Sequence, residues 1–416
     1  MKSHVTREQI EAYQVERFNV IWNCARNSVP FYQRWQRKFR LPDAIRSLSE
    51  LRDWPILDKS DLRNLGEFER KDAVLPHSYI ITAGSTGVPV RLPSWPDWST
   101  GVSQTVGRRA YGVNPGDRVF LLWGHEHLYG YGLRRRFNIL KRHVKDWLSN
   151  WCRESAYDLG FERMTEAYAR FSRQQPACVI GFSPAILAFV RQNAVHKGEY
   201  KALKAVVCTA GPLSASEKVE ISEFFDAPVC MEYGSVECGV MAYTQPSDGL
   251  YHTFWHTHLL QCAEDKNGCA KNIVTRLVEC YVPIIRYDIG DYLELRGPYG
   301  SFDENSVLTI KDVMGRPSEM LKFSCGVSFF GALVGDCVKQ VPAVIASQIA
   351  VDADKNILEI RVVANGRIGD AEKNLIRSRF QAIVSNSEQL NLTVRQVDEL
   401  WVNAGGKPPR IVNINS

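Results

Sequence analysis

Between Ala177 and Glu237 short apolar runs alternate with helical patterns, and this alternation constrains the chain more than any other feature. Ala177 to Phe182 reads as a strand, followed by Ser183 as N-cap and Pro184 at the first position of a helix to about Val195. Leu203 to Thr209 reads as a second strand. Ser214-x-x-Glu217 makes a capping box for a helix through Phe225, and Val229 to Tyr233 is a third strand. Right-handed strand-helix-strand crossovers close into a parallel sheet, so the fold class is α/β. In such sheets ligands gather beyond the carboxyl ends of the strands, here Phe182-Ser183, Ala210-Gly211-Pro212 and Gly234-Ser235. Three loops thereby point at one site.

Upstream, Ile10, Phe18, Ile21, Cys24 and Ala25 share one helical face, interrupted by Gln14, behind a Thr6/Gln9 capping box, and Pro30 stops that helix. Leu51 to Arg63 reads as a loop and a short helix capped by Ser60 or Asp61. Downstream, short strands and turns fill residues 281–320, and Gly315-Arg316-Pro317 marks a boundary between a domain of residues 1–315 and one of residues 316–416. The second domain reads as β-α-β with a helix from Asp370 to Ile383 and a basic tail.

Composition then excludes whole classes. With 51 Lys+Arg against 46 Asp+Glu the formal net charge is +5, and the two signs are interspersed, so the chain does not read as a dedicated nucleic-acid binder. An apolar share of 45% and a charged share of 23% rule out disorder, collagen and coiled coil. The uncharged stretch from Gln174 to Val190 contains Pro176 and Pro184 and falls short of a bilayer span. No apolar leader follows Met1, and the 11 cysteines lack regular spacing, which together imply a cytoplasmic protein without a disulfide framework.

Thr82-Ala83-Gly84-Ser85-Thr86-Gly87-Val88-Pro89 follows a β-like run, Ser78 to Ile81. Its glycines let backbone N–H groups converge on an anion and its hydroxyls add donors, which suits polyphosphate; the competing reading is a surface turn. The Walker lysine is absent, which disfavours a P-loop kinase. Five further segments occur in order: VVCTAGPLS (206 to 214), MEYGSVECG (231 to 239), PIIRYDIGDYLEL (283 to 295), DVMGRPSEM (312 to 320) and GGKPPR (405 to 410). Together the six resemble the adenylate-forming ligase superfamily. NSVPFYQRW (27 to 35) and WPILDKSDLR (54 to 63) are similar to the lead-in of its phenylacetate-CoA ligase and capsular-polysaccharide branch.

The resemblance implies a large N-terminal domain with parallel βαβ sheets and a small, mobile α+β C-terminal domain. It implies an enzyme that attacks the α-phosphorus of ATP with a carboxylate, forms an acyl-adenylate and passes the acyl group on, with coenzyme A the foremost acceptor and a carrier-protein thiol or an amine the alternatives. Thr82, Gly84, Ser85, Thr86 and Gly87 would hold the β- and γ-phosphates, Ser235 the α-phosphate, and Glu237 the magnesium ion. Ala210, Gly211 and Pro212 would form the wall beside adenine, with Tyr233 on its other face and Gly234 beside it. Asp291 would accept both ribose hydroxyls, Arg316 would sit near ribose and phosphate at the hinge, and Lys407 would bridge the acid and the α-phosphate.

Trp123, His125, Tyr129 and Tyr131 lie where the family's acid pocket begins, bounded by Phe182, and point to an aryl acid. The run from Arg134 to Lys145 reads as a solvated helical face, with a coenzyme A phosphate site as the alternative. His252, His256, His258 and Cys262 fall on one face of a strand, yet the Cys-x-Cys of zinc-binding relatives is missing, which favours a pocket or surface lining over zinc. Val90 stands where many relatives carry a basic residue. The acidic residue that usually follows Gly-Arg is displaced to Glu319, behind Pro317, which narrows the backbone freedom of the hinge. These departures keep a nucleotide-binding protein without turnover as a rival reading. No nucleic acid and no membrane span are expected, and a homodimer is left open.

Overall fold

The computed structural model describes residues 5–414 apart from 71, 73–77, 82–90, 124–131, 155, 157–160, 265–269, 296–305, 316–319, 331–332, 339–340, 342, 385 and 403–408. The chain divides into two compact units, each assembled from two stretches: residues 1–110 with 231–315, and residues 111–230 with 316–416.

The second unit holds the parallel sheet. Strand Ala205–Thr209 neighbours Cys178–Phe182, which neighbours Val119–Leu122, which neighbours Trp151–Glu154, all parallel. The three inner runs are buried without alternation, the pattern of strands covered on both faces. Helices Phe161–Gln174, Ser183–Gln192 and Ala215–Phe225 lie between the strands in sequence, and the ring of Phe171 meets Phe120, Phe189 and Phe225 beneath them. Val206 N donates to Pro228 O, which brings the entry of strand Val229–Ser235 alongside the sheet, as the alternation requires.

The Ser214/Glu217 box forms as expected. The cap at Ser183 does not: Phe182 is the N-cap, and both Ser183 and Pro184 lie inside the helix. The buried Ser183 hydroxyl serves the neighbouring loop instead, donating towards Gly211 O at 2.8 Å and Thr209 O at 3.2 Å.

In the same unit strands Val344–Asp352 and Ile357–Ala364 pair antiparallel, with Ile411–Asn413 parallel on one edge and Asn391–Gln396 parallel on the other. Helix Asp370–Ile383, which has the bounds its periodicity predicts, buries Ile376 and Phe380 against Ile349, Leu358, Ile360 and Val394.

In the first unit helix Arg7–Ser28 opens on the Thr6/Gln9 box. Pro30 ends it and also begins a second helix, Pro30–Phe39, because its fixed φ is already helical and its missing N–H is one that a first turn leaves unpaired. The polar break at Gln14 is 1% exposed; its amide donates to Trp255 O and accepts from the Ser306 hydroxyl. Leu48–Asp53 and Asp61–Arg63 are 3-10 turns; Ser60 is the N-cap residue of the second, as expected, but its side chain makes no capping bond, and Asp58 Oδ1 accepts from the backbone N–H groups of Ser60 and Asp61.

Strands Val229–Ser235, Gly239–Thr244, Tyr251–Thr253 and Thr309–Ile310 pair antiparallel in that order, and His258–Glu264, Ala270–Arg276, Tyr287–Glu294 and Asp312–Gly315 form a separate four-stranded antiparallel sheet. His252 and Cys262 therefore lie in different sheets, and the single strand face expected for the histidines does not exist, because the chain turns over Phe254–Thr257. Among the described residues no group of three or more His, Cys, Asp or Glu could hold a metal ion, and no helix is long and apolar enough to cross a membrane. Every described cysteine is a free thiol.

Candidate active site

In the first unit the YGSVE segment forms the exit of strand Val229–Ser235 and a tight turn into Gly239–Thr244. Ser235 pairs with Gly239 and Gly234 with Val240, so Val236, Glu237 and Cys238 form the tip. A Cβ on Gly234 would stand 2.6 Å from Gly239 O, so only glycine allows the two strands to approach this closely. Gly239 itself sits at φ +77, in the left-handed region.

The turn is held on both sides. Ser235 Oγ accepts from Cys238 N at 3.0 Å, and His258 Nε2 donates to Cys238 O at 2.7 Å while its Nδ1 faces the Thr257 hydroxyl at 2.9 Å. Burial, partly offset by the bond to Cys238 O, pushes the His258 pKa down to about 4, so the ring is neutral at physiological pH. Burial and the neighbouring Glu237 raise the Cys238 thiol to about 12 and keep it protonated. The turn thereby presents Glu237 as a fixed, buried carboxylate.

The RYDIGD segment enters strand Tyr287–Glu294 through Arg286, a non-glycine residue at φ +50. Its buried guanidinium donates to Gln261 Oε1 and Arg52 O, and burial lowers its pKa to about 10. Leu57, in the WPILDKSDLR lead-in, bridges the same point: Leu57 N donates to Arg286 O and Asp288 N to Leu57 O. Two of the motifs recognised in the sequence are thus physically joined, and a shift in register between Lys271 and Ile273 bends the strand pair beside Asp291.

The two segments then cross-link twice. The Tyr233 hydroxyl donates to Asp291 Oδ2 at 3.0 Å across 58 residues of sequence, and the Tyr287 hydroxyl donates to Glu237 Oε1 at 3.4 Å across 50. Each segment contributes one tyrosine and one carboxylate. Burial, reinforced by the Asp291 charge, pushes the Tyr233 phenol well above its ordinary range, so it remains a donor. Asn272 Nδ2 donates to the same phenol oxygen at 2.9 Å, and Asn272 Oδ1 is buried with no partner among the described residues. Behind the site Arg276 donates to Asp97 at 2.7 Å. Burial alone would raise Asp97, but Arg276 and the Ser99 and Thr100 hydroxyls hold its pKa down to about 2.

In the second unit Trp123, Phe182-Ser183 and Ala210-Gly211-Pro212 emerge from neighbouring parallel strands at their carboxyl ends. The rings of Trp123 and Phe182 lie 4.4 Å apart. Ala210, at φ +60, turns the loop back so that the Ser183 hydroxyl can reach Gly211 O. Strand pair Ser78–Ile81 and Arg91–Ser94, in the first unit, brackets the small-residue loop. Thr82, Gly84, Ser85, Thr86, Gly87, His125, Tyr129, Tyr131, Arg316 and Lys407 lie outside the described residues.

The sequence marks neither Asn272 nor Tyr287 as a site residue, and it offers His258 only as one of a strand-spaced group that lines a pocket or surface. Tyr287 stands inside a recognised segment, but nothing local distinguishes its phenol from a core tyrosine, and Asn272 lies in a strand without any motif.

No family model matches the chain. Over 409 residues it is 22% identical to protein CapK of Staphylococcus aureus, with 96% of this chain and 88% of that one covered. Over 378 residues it is 23% identical to phenylacetate-coenzyme A ligase of Aromatoleum evansii, covering 84% and 80%. Its fold matches 2-hydroxyisobutyryl-CoA ligase, solved in the postadenylation state with R3-HIB-AMP, at a TM-score of 0.72 and 14% identity, covering 98% of this chain and 90% of that one. Over most of its length the chain is thus similar in sequence to CapK and to phenylacetate-CoA ligase, and in fold to a ligase solved with an acyl adenylate.

Proposed function

We propose that the protein is an ATP-dependent ligase that converts an aryl carboxylic acid to its adenylate, releasing pyrophosphate, and then transfers the acyl group to the thiol of coenzyme A. The observation that supports this most is the double link between YGSVE and RYDIGD, which orients two carboxylates on one framework. Asp291, aligned by Tyr233, accepts the ribose hydroxyls, a pairing that an acceptor-only side chain makes well. Ser235 Oγ accepts one backbone N–H and keeps its own proton to donate to the α-phosphate. Ala210, Gly211 and Pro212 provide the flat wall beside adenine, and Thr82 to Gly87 cradle the terminal phosphates.

Glu237 fits a magnesium ion. It is a hard oxygen donor fixed by its turn, and this ion takes one or two protein carboxylates together with substrate phosphates. When bound, the ion offsets the charge of the departing pyrophosphate. Lys407 bridges the acid and the α-phosphate during adenylation, and residues 316–416 then turn as a small domain to withdraw it. The facing rings of Trp123 and Phe182 favour an aryl acid over a fatty one. Free thiols throughout the described chain support a reducing, cytoplasmic setting.

Pyrophosphate release from ATP and magnesium across aryl, heteroaryl, fatty and amino acids tests the first step. Release with an aryl class, followed by thioester on addition of coenzyme A, is expected. ATP binding without release for any acid would leave a nucleotide-binding protein, whereas an amide formed from an added amine with no thioester would reassign the acceptor.

A further inference from the structure

Helix Gly132–Leu148 carries six basic residues against one acidic, a formal +5 that equals the net charge of the entire chain. The rest of the chain therefore balances, and the positive excess that reads as dispersed in the sequence is gathered on one element. Along that helix Phe137, Leu140, Val144, Trp147 and Leu148 recur with the spacing of a single face. All five are between 49% and 78% exposed. Its inward side is anchored differently, by the buried Asp146 in a two-bond pair with Arg153. Lys141 and Lys145, one turn apart, border the apolar stripe; both are exposed, and neither they nor Arg142 pairs with any described acid.

A helix that packs on its own fold turns its apolar face inward. This one holds its inward side with an ion pair and presents a stripe of Phe, Leu, Val and Trp flanked by lysine. We propose that it is the surface by which the protein lies on an anionic lipid bilayer, with the apolar stripe at the headgroup-acyl boundary and the lysines against lipid phosphates. The charge on the page argues against a second copy of the chain: two such helices packed about a two-fold axis would bring their basic residues together, with only the inward-facing, already paired Asp146 to offset them. Nucleic acid would answer the charge but leave five large apolar side chains in water. The proposal is independent of the ligase reading, since binding to the bilayer requires neither ATP nor an acid.

Co-flotation of the full chain with vesicles tests it, using phosphatidylcholine alone and phosphatidylcholine with about one third phosphatidylglycerol. The protein is expected to float with the anionic vesicles only and to be released as salt is raised. Leu140→Gln with Trp147→Gln should lower the bound fraction about tenfold while leaving the thermal unfolding midpoint at that of the parent, because both side chains are exposed. Lys141→Gln with Lys145→Gln should weaken binding and flatten its salt dependence. Three results would each overturn the proposal: no flotation with anionic vesicles, flotation unchanged in the Leu140/Trp147 variant, or a concentration-dependent dimer dissolved by that variant without flotation. Capture by an acidic carrier protein in place of vesicles would assign the helix to a protein partner and overturn it equally.

Discussion

The Tyr233 hydroxyl is the smallest unit on which the candidate site depends, because it is bonded to Asp291 and Asn272 at once. Tyr233→Phe leaves a buried carboxylate oxygen and a buried amide short of a partner, each costing about 1–3 kcal/mol. Urea unfolding should show a loss of about 2 kcal/mol, and the KM for ATP should rise with that for the acid unchanged. His258 supplies the pH dependence. Its pKa is lowered from 6.5 to about 4, so its contribution is complete above pH 6.5 and is lost as the pH falls towards 4, where the unfolded chain binds a proton that the folded chain refuses. The difference amounts to about 3 kcal/mol. Unfolding free energies at pH 7 and near pH 4 should differ by about this much for His258 alone, and His258→Asn should flatten that interval. The strand-spaced histidine group to which His258 belongs in the sequence does not point to this role; its importance comes from the carbonyl of Cys238, 20 residues away in sequence.

At the scale of elements, two devices hold groups of the candidate site in place. The hairpin at Ser235–Gly239 carries Glu237, and its closeness rests on Gly234, where a methyl group would meet Gly239 O at 2.6 Å. Gly234→Ala should cost about 1–3 kcal/mol in thermal or urea unfolding and depress pyrophosphate release by displacing the turn. The second device is Gln348 on strand Val344–Asp352, 0% exposed, which donates to Trp401 O at 2.9 Å and Pro409 O at 2.8 Å. One amide thereby grips the described residues on either side of the segment that carries Lys407. Gln348→Met, which keeps the volume and removes the grip, should slow adenylation about tenfold while acyl transfer from a supplied adenylate persists; equal loss of both steps would make Gln348 a purely structural residue.

For the whole molecule the decisive experiment separates the two half-reactions. Lys407→Ala should reduce adenylation by a factor on the order of 100 or more and leave transfer from a supplied adenylate largely intact, as measured by thioester formation. What could be read before folding was local. The capping boxes at Thr6/Gln9 and Ser214/Glu217, helix Asp370–Ile383 and the strand-helix alternation from residue 177 each depend on groups within a few turns of one another, and they stand in the structure as their spacing requires. Readings that assumed a local partner failed where a distant group competed for the same atoms. Ser183 left its own helix end for Gly211 O, and His252 and His258 parted into different sheets. The links Tyr233–Asp291, Tyr287–Glu237 and Gln348–Pro409 span 58, 50 and 61 residues, and no periodicity encodes them. Residue order sets which elements form and which chemical groups they carry, because backbone preferences and caps act over short distances. Which carboxylate meets which phenol, and which apolar stripe stays in water, is settled by strand pairing and packing, since only the folded chain brings distant side chains within a hydrogen bond of each other.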